Sequence, residues 1–195
     1  MPSVVPARPR WLVPVLIVVV SLTVGGGLLA RELYQTPSTA EPAVANDPAP
    51  PPLRPQQQPG PPTVELASDA AAHPEAEPVR DLLQRHFDSI NAGDYDRWSN
   101  TVVAERVQAQ PRKEWQKNYQ TTRDGSIRVF RLEAAPENTL TALIGFTSTQ
   151  DASDGPPDLQ EPCIIWRLAF PLTQVGGEWK IDAVTTGTIP EREAC

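Results

Sequence analysis

Apolar residues recur at helical spacing at the start of the one region with a globular pattern. The i, i+3, i+4, i+7 period predicts a helix with one apolar stripe. That stripe consists of Val79, Leu82, Leu83, His86, Phe87 and Ile90. Gly93 ends the helix, since glycine adopts a positive φ easily. Asp94 suits the N-cap of a second helix, and Pro111 begins a third with Trp115 and Tyr119 on one side.

After Gly125 the apolar period changes to two, which is typical of strands. In the first strand Phe130 and Leu132 alternate with charged residues, and a turn follows at residues 136–138. A second alternating strand covers residues 140–146, and residues 151–161 are polar and rich in turn residues. The pattern therefore predicts an antiparallel pair followed by a loop.

Gly176-Gly177 predicts a tight turn between two final strands. A turn there pairs Leu172 with Ile181, which places both apolar rows on one side of the sheet. The same register puts Cys163 opposite residue 190. Three N-terminal helices packed on a curved antiparallel sheet give an α+β domain over residues 79–195.

An uncharged run of twenty residues, 11–30, precedes this domain and is long enough to cross a bilayer as a helix. Arg8 and Arg10 lie before it, so residues 1–10 are predicted to be cytoplasmic and the C-terminal domain extracytoplasmic. A cleaved signal peptide is the alternative, with Gly25-Gly26-Gly27 as its small-residue site. Both interpretations export the domain, and the first makes the chain a single-pass protein of the cell membrane.

Residues 31–78 hold twelve of the 23 prolines and few large apolar groups. Such a segment cannot bury enough surface to offset its chain entropy, so we predict a disordered Pro-rich linker. It is interpreted as a spacer, with ligands of proline-recognition modules as the alternative. The net charge of −7 argues against nucleic acid as a partner.

Two short runs carry a family resemblance that covers residues 79–190. They are Ile90-Asn91-Ala92-Gly93-Asp94-Tyr95 and Gly176-Gly177-Glu178-Trp179-Lys180-Ile181-Asp182. On these runs the chain resembles the NTF2-like superfamily, the α+β cone fold shared with ketosteroid isomerases and SnoaL-type cyclases. The order of anchor, spacer and domain is similar to that of exported actinobacterial envelope proteins, including Mce-associated membrane proteins. The resemblance implies a conical cavity but no particular chemistry, because the fold serves enzymes, binding domains and structural modules.

The residues that isomerases of this fold use are replaced here. His86 stands where the resemblance implies a tyrosine that hydrogen-bonds an oxyanion. Gln110-Pro111 stands where it implies the general base Asp before a Pro, and glutamine cannot accept the proton. Glu105 lies near but would need a slip of five residues. These replacements favour a non-enzymatic role for the chain over an enzymatic one.

The candidates for the cavity wall are His86, Ile90, Trp98, Trp115, Trp166 and Phe170. His86 either binds a ligand or is a histidine satisfied inside the core. The tryptophans either line a pocket for an apolar ligand or fill the core. No His, Cys and carboxylate cluster has the spacing of metal ligands, and no phosphate loop is present, so no metal or cofactor is predicted.

Two cysteines, Cys163 and Cys195, belong to a domain predicted to reach an oxidising compartment. In the predicted register Cys195 lies one short bend beyond the residue that faces Cys163. We therefore predict a disulfide that attaches residues 191–195 to the last hairpin, with two free thiols as the alternative.

These inferences lead to a membrane-anchored extracytoplasmic NTF2-like domain. It would act as an interaction or accessory module of the cell envelope, with a small apolar ligand, an envelope protein or a second copy of the chain as its partner. The alternative is an enzyme of the ketosteroid isomerase or SnoaL class with His86 in its pocket.

Overall fold

The computed structural model describes residues 53–184 and 190–195, which form five α-helices, three short 3-10 helices and six strands. The helices are α1 (Ser68–Ala71), α2 (Ala76–Ala92), α3 (Tyr95–Ser99), α4 (Ala104–Ala109) and α5 (Arg112–Tyr119). The strands are β1 (Glu65–Leu66), β2 (Arg123–Ala135), β3 (Thr139–Thr149), β4 (Cys163–Val175), β5 (Glu178–Ile181) and β6 (Glu191–Ala194). The predicted membrane span, residues 11–30, and the linker up to residue 52 lie outside the described residues. Within the described part, no helix has the length and apolar character needed to cross a membrane.

The strands form one mixed sheet in the order β1-β2-β3-β4-β5, with β6 also paired to β4. Strands β2 to β5 run antiparallel as predicted, whereas β1 is parallel to β2. The free edge of β4 is shared, because β5 pairs with residues 172–175 and β6 pairs with residues 164–167. The α+β class is confirmed, and the wholly antiparallel sheet is wrong because of the short strand β1.

Helix α2 supplies the apolar face that covers the sheet, and its predicted stripe is buried. Gly93 ends it in the left-handed conformation, with φ of 66°. The side chain of Asp94 accepts a hydrogen bond from the backbone N–H of Arg97 and so caps α3. The third predicted helix is α5, and the six-residue helix α4 between them was not predicted because none of its residues is buried to form a stripe.

The disordered linker was predicted to reach residue 78, and this is wrong for its last part. Val64 is buried in the main core, and β1 extends the sheet. The proline segment before it is bound through its carbonyls: Pro59 and Pro61 accept hydrogen bonds from the hydroxyl and backbone N–H of Ser126. The Pro-rich composition suggested disorder, but it does not exclude pairing with a sheet edge. Proline lacks a backbone donor but keeps its carbonyl acceptor, so an extended Pro-rich segment can still lie along that edge.

Strand β2 does not keep the alternation that its sequence suggests. Val129 and Leu132 are both buried, whereas Phe130 is 44% exposed. The pairing with β3 shifts between Val129 and Arg131, and one residue of shift moves the following side chains to the other face. Phe130 therefore lies on the outer face, where its ring covers Gly145 so closely that a Cβ there would meet it at 2.9 Å.

The last hairpin has the predicted register, with Leu172 paired to Ile181. The predicted position of Cys163 opposite residue 190 is wrong, because β5 ends at Ile181 and the chain rejoins β4 as a separate strand. In this new register the backbone N–H of Cys195 donates to the carbonyl of Cys163. The predicted disulfide between Cys163 and Cys195 is confirmed, with their Cα atoms 5.4 Å apart. The bridge thus fixes strand β6 to β4.

Candidate functional site

A cavity of about 810 Å³ lies among α2, α4 and α5, the strands β2 to β4, and the C-terminal tail. Helices α2, α4 and α5 contribute His86, Ile90, Arg106, Asn118 and Tyr119. The sheet contributes Asp124, Phe146, Ser148, Ile164, Trp166, Arg167, Leu168, Ala169 and Phe170. The segments between these elements and the tail contribute the remaining lining residues: Gln110, Thr122, Gln150, Asp154, Gly155, Pro156, Pro157, Val184, Pro190 and Glu191. A space of this size is typical of small-molecule sites.

Aromatic rings form much of the sheet side of the cavity. The ring of Trp166 is nearly parallel to that of Phe146, with centroids 6.2 Å apart and planes at 15°. Phe146 in turn packs against Phe87 of α2 at 4.9 Å, which supports it from behind. Arg192 of β6 lies over the Trp166 ring at 5.8 Å and is itself held by both carboxylate oxygens of Asp158. The disulfide-bound tail therefore supports the aromatic wall.

A buried carboxyl group, that of Asp124, lies in the wall at the start of β2. Asn91 fixes its backbone: the amide oxygen accepts from the N–H of Asp124 at 2.7 Å, and the amide nitrogen donates to its carbonyl at 2.9 Å. The hydroxyl of Ser148 donates to the carboxylate. Burial raises the pKa of Asp124 to about 6, although the Ser148 hydrogen bond opposes this rise. This carboxyl can exchange a proton near neutral pH.

His86 is held in one neutral form. Its Nδ1 lies 2.8 Å from the hydroxyl oxygen of Thr101, and that hydroxyl donates its proton to the carbonyl of Trp98. Nδ1 must therefore carry the hydrogen of this pair, which leaves Nε2 as an acceptor. Burial, and secondly the charge of Arg106, lower the pKa of His86 to about 3. His86 is a neutral hydrogen-bond acceptor at physiological pH.

Arg106 and Tyr119 complete the polar part of the wall. The Nη1 atom of Arg106 is buried without a hydrogen-bond partner among the described residues. Burial lowers the pKa of this guanidinium, and Tyr119 and Asp182 act in the opposite direction. Desolvation raises the pKa of Tyr119, so its hydroxyl stays protonated and can donate.

Four of the six predicted wall residues line the cavity: His86, Ile90, Trp166 and Phe170. The prediction is wrong for Trp98 and Trp115, which are fully buried in the core and pack on each other at 5.6 Å. Both lie on helices beside Tyr95, so their stripe faces neighbouring helices and not the sheet-side cavity. Helical spacing gives the buried side of a helix but not which neighbour covers it.

The sequence patterns did not predict the polar wall residues Arg106, Tyr119 and Asp124. The inward position of Asp124 could not be predicted from strand alternation, because the register shifts in β2 break that alternation. Arg106 lies on the unpredicted helix α4. Tyr119 was assigned to a helix stripe, and its i−4 relation to Trp115 was the available signal.

In residues 53–184 and 190–195, no three His, Cys, Asp or Glu side chains are grouped as metal ligands. A comparison with protein-family models finds no match to this sequence, and a comparison with curated proteins finds none either.

Proposed function

We propose that this chain is a membrane-anchored, extracytoplasmic domain of the NTF2-like type that binds a small, mainly apolar ligand. It would serve as an accessory or interaction module of the cell envelope, with an envelope protein or a second copy of the chain as a partner. The arginines before residues 11–30 support the orientation. The disulfide supports an oxidising location.

The observation that carries the proposal is the cavity and its aromatic wall. Ligand sites are concave, largely apolar and supplied with a few fixed polar groups. Here Trp166, Phe146 and Phe170 supply the apolar surface, and Asp124 and His86 supply fixed polar groups. Gln110 also lines the cavity and cannot act as a base, which favours binding over proton transfer at that position.

The test uses the full chain in amphipol and the rigid neutral probe 1-adamantanol, followed by calorimetry. We expect saturable 1:1 binding, weakened about tenfold in Trp166→Ala because a large wall contact is lost. Phe130→Ala is the matched control, since Phe130 is an exposed ring on the outer face of the sheet. No saturable binding, or equal weakening in both variants, would overturn the proposal.

A second candidate function is acid–base catalysis on a carbonyl compound, and Asp124 is the observation that favours it. A carboxyl group in the cavity wall with a pKa of about 6 is suited to taking up a proton from carbon, with the Tyr119 hydroxyl as a donor to the carbonyl oxygen. In this candidate the base is Asp124 and not His86. Deuterium exchange next to the carbonyl of cyclohexanone, read by NMR, should be faster with the wild type than with Asp124→Asn. Equal rates would remove the enzyme candidate.

A further inference from the structure

We propose that the ligand is an amphipathic carboxylic acid whose carboxylate binds the guanidinium of Arg106 and whose apolar body lies against Trp166 and Phe170. This inference rests on the proposed ligand-binding function and names the chemical class of the ligand. It depends on one charged group in the cavity wall whose hydrogen-bonding capacity is unused.

Arg106 differs from the arginines of the surface. Five of these have a carboxylate within ion-pair distance: Arg80, Arg112, Arg131, Arg167 and Arg192. Among the described residues, the Arg106 side chain has neither an ion pair nor a hydrogen bond, and its Nη1 is buried. Leaving a buried charged donor without an acceptor is costly, so an acceptor supplied by a ligand is strongly favoured.

The guanidinium is suited to a carboxylate in particular. Its planar donors match the two oxygens of a carboxylate, and such charge-assisted pairs are stronger than neutral hydrogen bonds. Asp182 influences the pKa of Arg106 electrostatically but does not come within ion-pair distance, so it leaves the donors open. The protonated Tyr119 hydroxyl lies within electrostatic range of Arg106 and adds a neutral donor on the same side.

The other charged groups of the cavity are engaged by protein partners or are wholly or partly neutral. The carboxylate of Asp154 accepts hydrogen bonds from the hydroxyl of Thr121 and the amide of Gln120. His86 is neutral, and its interaction with Thr101 already uses its only N–H. Arg167, the other arginine of the wall, is engaged by Glu191 and Glu193 of β6. Among the described residues, Asp124 is the one buried carboxyl in the wall. Burial raises its pKa to about 6, so a fraction of the molecules carry it in the neutral form in mildly acidic medium.

The experiment compares three probes with one apolar body and different head groups on the full chain in amphipol. They are adamantane-1-carboxylate, 1-adamantanol and 1-adamantylamine, titrated by calorimetry at pH 6. We expect the carboxylate to bind about tenfold or more tightly than the alcohol, and the amine to bind most weakly. The preference for carboxylate over alcohol should vanish in Arg106→Gln, while the affinity for the alcohol changes less than twofold.

Two further variants separate the role of the guanidinium from a general effect. Arg131→Gln removes a surface arginine paired to Asp69, and it should keep the full carboxylate preference. Arg106→Lys keeps the positive charge but cannot form bidentate hydrogen bonds to a carboxylate. It should therefore retain part of the preference for carboxylate over alcohol, even if Arg106→Gln folds poorly.

Equal affinities for carboxylate and alcohol in the wild type would overturn this inference and leave the proposed binding function standing. Persistence of the preference in Arg106→Gln would also overturn it, since the anion would then be bound elsewhere. Failure of all three probes to bind would overturn both the inference and the proposed function.

Discussion

Two groups of aromatic side chains in this domain look alike in sequence but occupy different surroundings. In the first, which we call the helix-side group, Tyr95, Trp98 and Trp115 pack with ring centroids 5.4–5.6 Å apart and form part of the core. In the second, the cavity-side group, Phe146 and Trp166 stack on the sheet and line the cavity. The first group is buried, whereas the second is only partly covered by protein and borders the cavity.

The difference shows what decides the role of a large apolar side chain. A ring stabilises the fold in proportion to the surface it buries, and a ring at a cavity wall buries less until a ligand arrives. Trp98 and Trp115 are fully buried, whereas Trp166 is half-buried. The helix-side group should therefore determine stability, and the cavity-side group should determine binding.

The largest expected effect is the loss of stability on truncating Trp98. Trp98→Ala removes a fully buried ring and leaves a void in the helix-side group, so we expect the free energy of unfolding to fall by about 3–5 kcal/mol. Trp166→Ala should cost less than half as much. Urea denaturation of the full chain in amphipol, followed by circular dichroism, measures both. Equal losses in the two variants would contradict the division into two groups.

Much of the fold follows from sequence because its signals are local. Gly93 and Asp94 mark the end of one helix and the cap of the next, and the Gly176-Gly177 turn fixes the register of Leu172 and Ile181. These features depend on the conformations that a few adjacent residues prefer. Such local preferences can be inferred directly from the residue types.

The missed features all depend on distant contacts. Val64 is buried in a segment whose composition suggests disorder, because β2 offers it a pairing edge. Phe130 faces outward because a register shift in β2 changes which of its residues face the core. The tail forms β6 because β5 ends early and leaves part of β4 unpaired.

For the candidate site, sequence spacing found the apolar wall better than the polar one. His86 and Ile90 are on the predicted helix stripe, and Trp166 and Phe170 are on the predicted strand row. Asp124 and Arg106 come from a strand end and a short helix without periodic patterns. Only the folded chain brings them to the same cavity.

The second expected effect concerns the disulfide, which fixes strand β6 beside the cavity-side group. The two cysteines are separated by 32 positions, and a loop of that length corresponds to about 3–4 kcal/mol of stability in the chain-entropy model. The double variant Cys163→Ser, Cys195→Ser should lose about this amount in urea denaturation. It should also weaken 1-adamantanol binding, because Arg192 of β6 lies against Trp166.

Reduction of the wild type with dithiothreitol should reproduce the loss of stability, and it should leave the double variant unchanged. If the double variant lost stability but kept its affinity for 1-adamantanol, strand β6 would have no part in supporting the cavity wall.

The third expected effect is a pH dependence that originates at the cavity. Among the described residues, the two groups whose pKa values shift strongly in the acid range, His86 and Asp124, both line it. The pKa of His86 falls from 6.5 to about 3 on folding, so its unfolded form binds the extra proton and stability is lost as pH decreases from 6.5 to 3. The pKa of Asp124 rises from 3.8 to about 6, so its folded form binds the extra proton and stability is lost as pH increases from 3.8 to 6. The two contributions oppose each other in the range from 3.8 to 6.

Single variants should separate these opposing contributions. Relative to wild type, Asp124→Asn should gain stability as pH rises from 3.8 to 6, by on the order of 3 kcal/mol in all, because the variant never pays to bury the ionised group. His86→Asn should gain relative stability as pH falls through 6.5. Urea denaturation at pH 4, 5, 6 and 7 gives the difference curves, and Trp98→Phe serves as the control from the helix-side group, with a difference that does not depend on pH. Flat difference curves for both cavity variants would mean that neither group is buried as described, and the polar wall would then lose its distinction from the rest of the core.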